Sequence, residues 1–138
     1  MMAEIKGKNT KPELRIRRAL HAKGFRFRLH DKHLPGRPDL VLPRWNAVIE
    51  VHGCFWHRHE NCRFATTPAT RAEFWAEKFA KNVERDRRNL RSLRNSGWRT
   101  AVIWECWLRE RDIDNLIEEV SAWIKSSQME FSTPRSND

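Results

Sequence analysis

Three features of the chain predict an α/β domain. Segments with the two-residue period of strands alternate with segments of helical period, the longest helical pattern lies between two strand patterns, and the 138 residues carry no internal repeat. A single domain over residues 1–126 is expected, followed by a polar, disordered tail over residues 127–138.

Thr10-Lys11-Pro12-Glu13 has the form of a capping box and Gly24 supplies a stop, so the first helix is predicted over residues 11–23. Glu13, Ile16 and Leu20 fall on one helical face, which points the Glu13 carboxylate inward. Residues 25–29 alternate strictly and read as an edge or outer strand. Residues 30–38 include Pro35-Gly36-Arg37-Pro38 and can be neither helix nor ladder, because proline lacks the donor and restricts its predecessor. Residues 39–42 and 47–52 are predicted strands joined by a turn over residues 43–46, together a hairpin that carries Asp39 and Glu50.

A second capping box at Thr70-Arg71-Ala72-Glu73 and the stop at Gly97 delimit a helix over residues 71–95. Its inward row is Ala72, Ala76, Phe79, Val83, Asp86, Leu90 and Leu93. Asp86 is the anomaly, because a carboxylate on a core-facing stripe costs several kcal/mol unless it meets a partner beneath the helix. Lys78, Lys81, Arg85, Arg88, Arg91 and Arg94 form the outward face, solvated or in contact with phosphates. Residues 98–104 form a further core strand, ending before Glu105 and Cys106. A last amphipathic helix begins near Asp112, with Ile113, Leu116, Ile117, Val120 and Ile124 inward.

Lys plus Arg number 27 against 18 Asp plus Glu, a net charge of +9, which favours polyanionic partners and above all nucleic acid. No apolar run reaches the roughly 18–20 residues needed to span a bilayer, and residues 1–10 lack an apolar signal core. A cytoplasmic protein without a membrane partner is expected, one whose thiols stay reduced. Seven Trp and seven Phe without any Tyr exceed what so small a core requires, so some rings are expected to meet a ligand.

Chemistry concentrates in residues 50–62. Cys54, His59 and Cys62, closed by the distant Cys106, supply three thiolates and an imidazole, the closed donor set of a structural zinc site. Asp39 follows Pro38 at the start of one strand, and period two puts Glu50 and His52 on one face of the next. Hard Mg2+ ions want such oxygen donors, and phosphodiester hydrolysis needs a base for the attacking water. Pro-Asp followed by Glu-x-Lys is the motif of a large nuclease superfamily, the PD-(D/E)XK type; here it reads Pro-Asp and then Glu-x-His.

Longer motifs carry a more specific likeness. Pro35-Gly36-Arg37-Pro38-Asp39, Gly53-Cys54-Phe55-Trp56-His57, Glu73-Phe74-Trp75, Asn82-Val83-Glu84-Arg85-Asp86-Arg87-Arg88, Gly97-Trp98-Arg99 and Trp104-Glu105-Cys106 occur in order. Together they resemble the very short patch repair (Vsr) mismatch endonucleases from about residue 8 to residue 123.

The resemblance implies a restriction-endonuclease-like fold, a central mixed sheet flanked by helices with a structural zinc site. It also implies an activity: nicking double-stranded DNA beside the mispaired T of a T:G mismatch, left when 5-methylcytosine deaminates. By the same resemblance Asp39 binds Mg2+ together with the main-chain carbonyl of Val51, His57 activates the attacking water and Asp86 orients His57. Glu13 faces the site, His52 sits beside the scissile phosphate, and Phe55, Trp56 and Trp75 form a wedge intercalated next to the mismatch. Cys54, His59, Cys62 and Cys106 match the zinc ligands.

The chain departs from the family pattern in two places. The loop between Cys54 and Cys62 is one residue longer, which assigns zinc to His59 and leaves His57 for chemistry. Glu50 replaces an apolar residue and is either an extra Mg2+ ligand or merely tolerated. Two other functions compete: a restriction-type nuclease acting on fully paired DNA, and a zinc-stabilised DNA-binding module without catalysis. Because a nicked strand must be resynthesised, a repair polymerase and other mismatch-repair proteins are expected partners of a monomeric enzyme associated with the nucleoid.

Overall fold

The structure, a computed structural model, describes residues 10–110 and 112–133. The reading of residues 1–9 as lacking a signal core, and the last five residues of the expected tail, lie outside them.

Among the described residues four helices and five strands follow one another as α1 (Lys11–Ala22), β1 (Arg28–Leu29), β2 (Leu40–Leu42), β3 (Ala47–His52), α2 (Ala72–Asn95), β4 (Arg99–Trp104), α3 (Glu105–Glu110), α4 (Ile113–Lys125) and β5 (Glu130–Ser132). The strands form one mixed sheet in the order β1-β2-β3-β4-β5. β1, β2 and β3 pair antiparallel, whereas β3, β4 and β5 pair parallel. The predicted β2–β3 hairpin forms with Leu40 opposite Ile49, and its turn is a 3-10 segment, Pro43–Trp45.

Strand alternation divides the sheet into two faces. Leu40, Leu42, Ala47, Ile49, Ala101 and Ile103 enter the main core with Ile16 and Leu20 of α1 and Leu116, Val120 and Ile124 of α4. Val41 and Val48 project the other way and meet Leu93 of α2. Each large side chain buried in this way contributes about 1.5–3 kcal/mol. The second face is thinner, and the site lies at its open end.

Several boundaries differ from the sequence reading. β1 keeps only Arg28 and Leu29, because β2 ends at Leu42 and Pro43, which opens the 3-10 turn, would stand opposite Arg26. Phe25 leaves the ladder and enters the core, 5% exposed. The capping box at Thr70 does not form: Arg71, in the left-handed region at φ 56°, is the N-cap and makes no side-chain cap. Ala72 and Ala76 of the predicted inward row are exposed, so the apolar row of α2 starts only at Phe79. α3 was not anticipated; it buries Cys106, Trp107 and Leu108 directly after β4.

Within the expected tail, residues 130–132 form β5 instead. The parallel edge of β4 offers backbone partners from Thr100 to Val102, and two side chains hold the segment in place. Thr133 accepts from the Trp104 N–H through Oγ1 at 3.0 Å, and Arg99 donates to the Gln128 carbonyl at 3.2 Å. The same Arg99 guanidinium, nearly buried, reaches the carbonyls of Trp45, Trp123 and Ile124, so one cation ties the β2–β3 turn, the end of α4 and the approach to β5. Among the described residues no helix is long and apolar enough to cross a membrane.

Candidate active site

Asp39 lies where the proline-rich loop enters β2, one residue before the ladder, and is 8% exposed. Its Oδ2 accepts the Val51 N–H at 2.7 Å. Because the N–H and C=O of one strand residue point the same way, the Val51 carbonyl faces the same side as its N–H. On that side stand also Glu13, 1% exposed on α1, and His30, whose Nε2 lies 2.7 Å from Glu13 Oε2 and 3.9 Å from Asp39 Oδ1. Arg17, one turn after Glu13, meets the same Oε2 at 3.1 Å. Burial, with the charges of Glu13 and Glu50 beside it, pushes the Asp39 carboxyl up to about 8 against the Val51 hydrogen bond.

On β3, period two puts Glu50 and His52 on the α2 face, with Glu50 Oε1 3.6 Å from His52 Nε2. His52 is 4% exposed and stacks on His57 at 3.9 Å between ring centroids, the rings nearly parallel. Trp104, opposite His52 in the β3–β4 register, closes on it edge-on at 5.1 Å. Burial first, and then His57, hold the His52 imidazole down to about 3. Burial and the Asp86 charge raise Glu50 to about 7.

After β3 the chain makes two tight turns, His57 N–H to Gly53 O and His59 N–H to Cys54 O, which throw alternate side chains to opposite sides. His57 turns toward α2, where its Nδ1 meets Asp86 Oδ2 at 2.6 Å. The carboxylate that disturbed the inward row of α2 therefore has its partner beneath the helix. His52, His57 and Asp86 line a cleft of about 540 Å³ that continues along Arg87 and Arg94 to Thr133.

His59 turns the other way. Its Nδ1 lies 3.6 Å from Cys54 Sγ and 3.4 Å from Cys106 Sγ, and with Cys62 all four donors are buried within 4.8 Å of one another. A tetrahedral ion with bonds of about 2.0–2.3 Å separates its ligand atoms by about 3.5 Å, so three sulfurs and one imidazole nitrogen fit such an ion. Burial raises the Cys54 thiol, the expected state of a thiol lacking a cation beside it. Trp104 stacks on His59 at 4.1 Å and so touches both the donor cluster and His52.

Phe55, Trp56 and Trp75 come together with ring centroids 5.0–6.0 Å apart. Sequence reasoning missed two further rings of this group, Phe79 beneath Phe55 and the exposed Phe74, and the Arg58 guanidinium 3.9 Å above Phe79. It also missed His30. Nothing in residues 30–38 has a period that separates an inward histidine from an outward one, whereas Phe79 stood in the inward row of a helical pattern and was read as core, and Phe74 entered only through the Glu73-Phe74-Trp75 motif.

Within nine residues one loop thus brings His57 to Asp86, Phe55 and Trp56 to Trp75, and three of the four donors to the thiol-rich cluster. A family model for the DNA mismatch endonuclease Vsr matches residues 1–63, which hold Asp39, Val51, His57 and His59. The chain is 46% identical over 126 residues, 89% of its length and 80% of the relative's, to the DNA mismatch endonuclease Vsr of Escherichia coli (strain K12). The chain belongs to the Vsr family.

Other Vsr-like relatives are the Type II nicking enzymes V.XorIIP of Xanthomonas oryzae pv. oryzae, 46% identical over 80% of both chains, and V.NmeAIP of Neisseria meningitidis, 42% identical over 82% of this chain and 80% of the relative. As a Vsr-family member the protein is a DNA endonuclease of the mismatch-repair class. In Vsr terms the chemistry has two halves, set on the two sides of β3. Asp39, Glu13 and His30 gather at the β2 side, and Glu50, His52, His57 and Asp86 gather beneath α2.

Proposed function

We propose that this chain nicks double-stranded DNA beside the mispaired T of a T:G mismatch, and so begins very short patch repair of deaminated 5-methylcytosine. The observation that carries the reading is the His57–Asp86 contact placed in the same loop as the aromatic cluster, across β3 from Asp39. The nicking activity named for two relatives supports cleavage of one strand over a double-strand cut.

The sheet with Asp39 entering β2 and Glu50 on β3 supports reading the fold as restriction-endonuclease-like, of PD-(D/E)XK type with histidine in place of lysine. Asp39 and the Val51 carbonyl would hold Mg2+, with Glu50 as the acidic neighbour that either joins them or is tolerated. When bound, Mg2+ supplies positive charge against the scissile phosphate and the leaving oxygen. Asp86 accepts the Nδ1 proton of His57, which leaves Nε2 to take the proton of the attacking water. His52 remains neutral at physiological pH and contributes a packed, uncharged face beside the phosphate. Glu13 closes the site from α1.

Phe55, Trp56 and Trp75 enter the stack beside the mismatch, where a poorly paired step costs least to open. Cys54, His59, Cys62 and Cys106 hold Zn2+, which fixes the loop. The enzyme acts as a cytoplasmic monomer on nucleoid DNA and hands its nick to a repair polymerase and other mismatch-repair proteins.

Nicking of T:G and matched T:A duplexes of equal sequence, with Mg2+, tests the reading. Cleavage of the T strand in the T:G duplex alone is expected. Double-strand cuts in matched DNA would favour a restriction-type nuclease, and binding without cleavage would leave a DNA-binding module.

A further inference from the structure

His30 has no place in the mechanism above, yet both its backbone and its ring are held in place. Its backbone adopts the left-handed region at φ 47°, unfavourable for a side chain with a Cβ. Its N–H donates to the Asp39 carbonyl at 3.2 Å. Its ring reaches 2.7 Å to Glu13 and 3.9 Å to Asp39. Backbone strain of this kind persists where surrounding contacts enforce it, and here the N–H is held by the Asp39 main-chain carbonyl while the ring is held by two buried carboxylates.

The geometry of the three side chains is that of a donor set. An octahedral ion with bonds of about 2.1 Å puts neighbouring ligand atoms about 3 Å apart and opposite ones about 4.2 Å apart. The two distances made by His30 Nε2 are 2.7 Å and 3.9 Å, and the nitrogen and both carboxylates lie within 4.8 Å of one another. Two carboxylates buried side by side also need positive charge between them. Arg17 meets Glu13 Oε2, the oxygen that His30 shares, whereas Asp39 Oδ1 faces the imidazole.

We infer that Glu13, His30 and Asp39 form a mixed nitrogen–oxygen cation site, in which His30 makes the protein bind Mn2+ in preference to Mg2+. Imidazole is a donor that hard Mg2+ accepts reluctantly and that first-row divalent ions accept more readily, and Mn2+ is the one nearest Mg2+ in coordination habit. The inference rests on the reading that Asp39 holds the divalent cation of the nuclease, and it adds which ion that site takes and why.

Mn2+ binding to the zinc-loaded, full-length protein can be followed by its paramagnetic resonance, where a directly bound imidazole nitrogen leaves a hyperfine coupling. Wild type should show that coupling and bind Mn2+ about tenfold or more tighter than Mg2+ in competition. His30→Gln should lose the coupling and most of the preference while retaining its fold by circular dichroism. Asp39→Ala should lose Mn2+ binding. A coupling absent from wild type, or present unchanged in His30→Gln, would overturn the role of His30 while leaving the Asp39 cation intact. Mn2+ binding unaffected by Asp39→Ala would overturn both this inference and the underlying assignment of the cation to Asp39.

Discussion

On the proposed reading His57 and Asp86, in contact at 2.6 Å, act as one unit, so removing either should remove the base. His57→Ala should abolish nicking, and Asp86→Asn should lower the single-turnover rate about a thousandfold while mismatch binding persists, because the amide no longer fixes the imidazole tautomer. Asp86 was legible in the sequence because a carboxylate on a core stripe demands a partner; His57 was legible only through likeness to a family. The titration of the site offers a second check. Asp39 and Glu50 hold protons in the folded, Mg2+-free protein at pH values where the unfolded chain has lost them. Their contribution to stability is therefore complete at low pH and disappears as pH rises through about 7 and about 8. His52, held near 3, works in the opposite sense: its contribution is present above the ordinary imidazole value of 6.5 and is lost as pH falls toward 3. Above pH 6.5 only the carboxylates remain, so the thermal midpoint without Mg2+ should fall between pH 6.5 and pH 8. Asp39→Asn should flatten that fall in a melting series.

Among the elements, α2 sets the geometry. Down one side it presents Phe79 to the aromatic cluster, Asn82 to the Trp56 carbonyl at 3.2 Å, Asp86 to His57, and Leu93 to Val41 and Val48. Asn89 of the same helix lies against Gly36, where an added Cβ would meet the amide at 2.9 Å in a backbone at φ 75°. Gly36→Ala should therefore cost about 1–3 kcal/mol and displace the loop that carries Asp39, measured as a loss of stability together with a raised Mg2+ requirement. Leu93→Ala, at a fully buried position in a small cluster, should cost about 3 kcal/mol in chemical denaturation. The helix as a whole was plain from its period. Its start was not, because the capping residues at Thr70 compete with a left-handed Arg71, and local sequence does not say which wins. β5 was invisible for a related reason: a three-residue strand has no period of its own, and its stability comes from the waiting edge of β4 and from Arg99.

For the molecule as a whole, charge and donor clusters decide how it meets DNA. A net charge of +9 makes association strongly dependent on counterion release. If the footprint neutralises about six phosphates, the logarithm of the binding constant should fall with the logarithm of salt at a slope of about −5, measured by anisotropy on T:G and T:A duplexes alike. Mismatch discrimination should persist along that slope if it resides, as proposed, in the aromatic rings. The α/β class, the hairpin and the thiol-rich cluster were all legible at this scale, because each follows from residue type and spacing. The division of the chemistry across the two sides of β3 was not, since it depends on how α1 and α2 approach opposite sides of one strand.

The last donor of the thiol cluster, Cys106, lies directly beyond β4, 52 residues after Cys54 and 49 after His57. This spacing imposes an order of assembly. A nascent chain ending before residue 106 already contains His57, Asp86, the rings of Phe55, Trp56 and Trp75, and the carboxylates of Glu13, Asp39 and Glu50. What it lacks is the sulfur that joins the His57 loop to the segment directly following β4. Until that sulfur leaves the ribosome, the loop that carries His57 is short of its fourth donor. Closure of the four-donor cluster that anchors the His57 loop therefore comes late in synthesis.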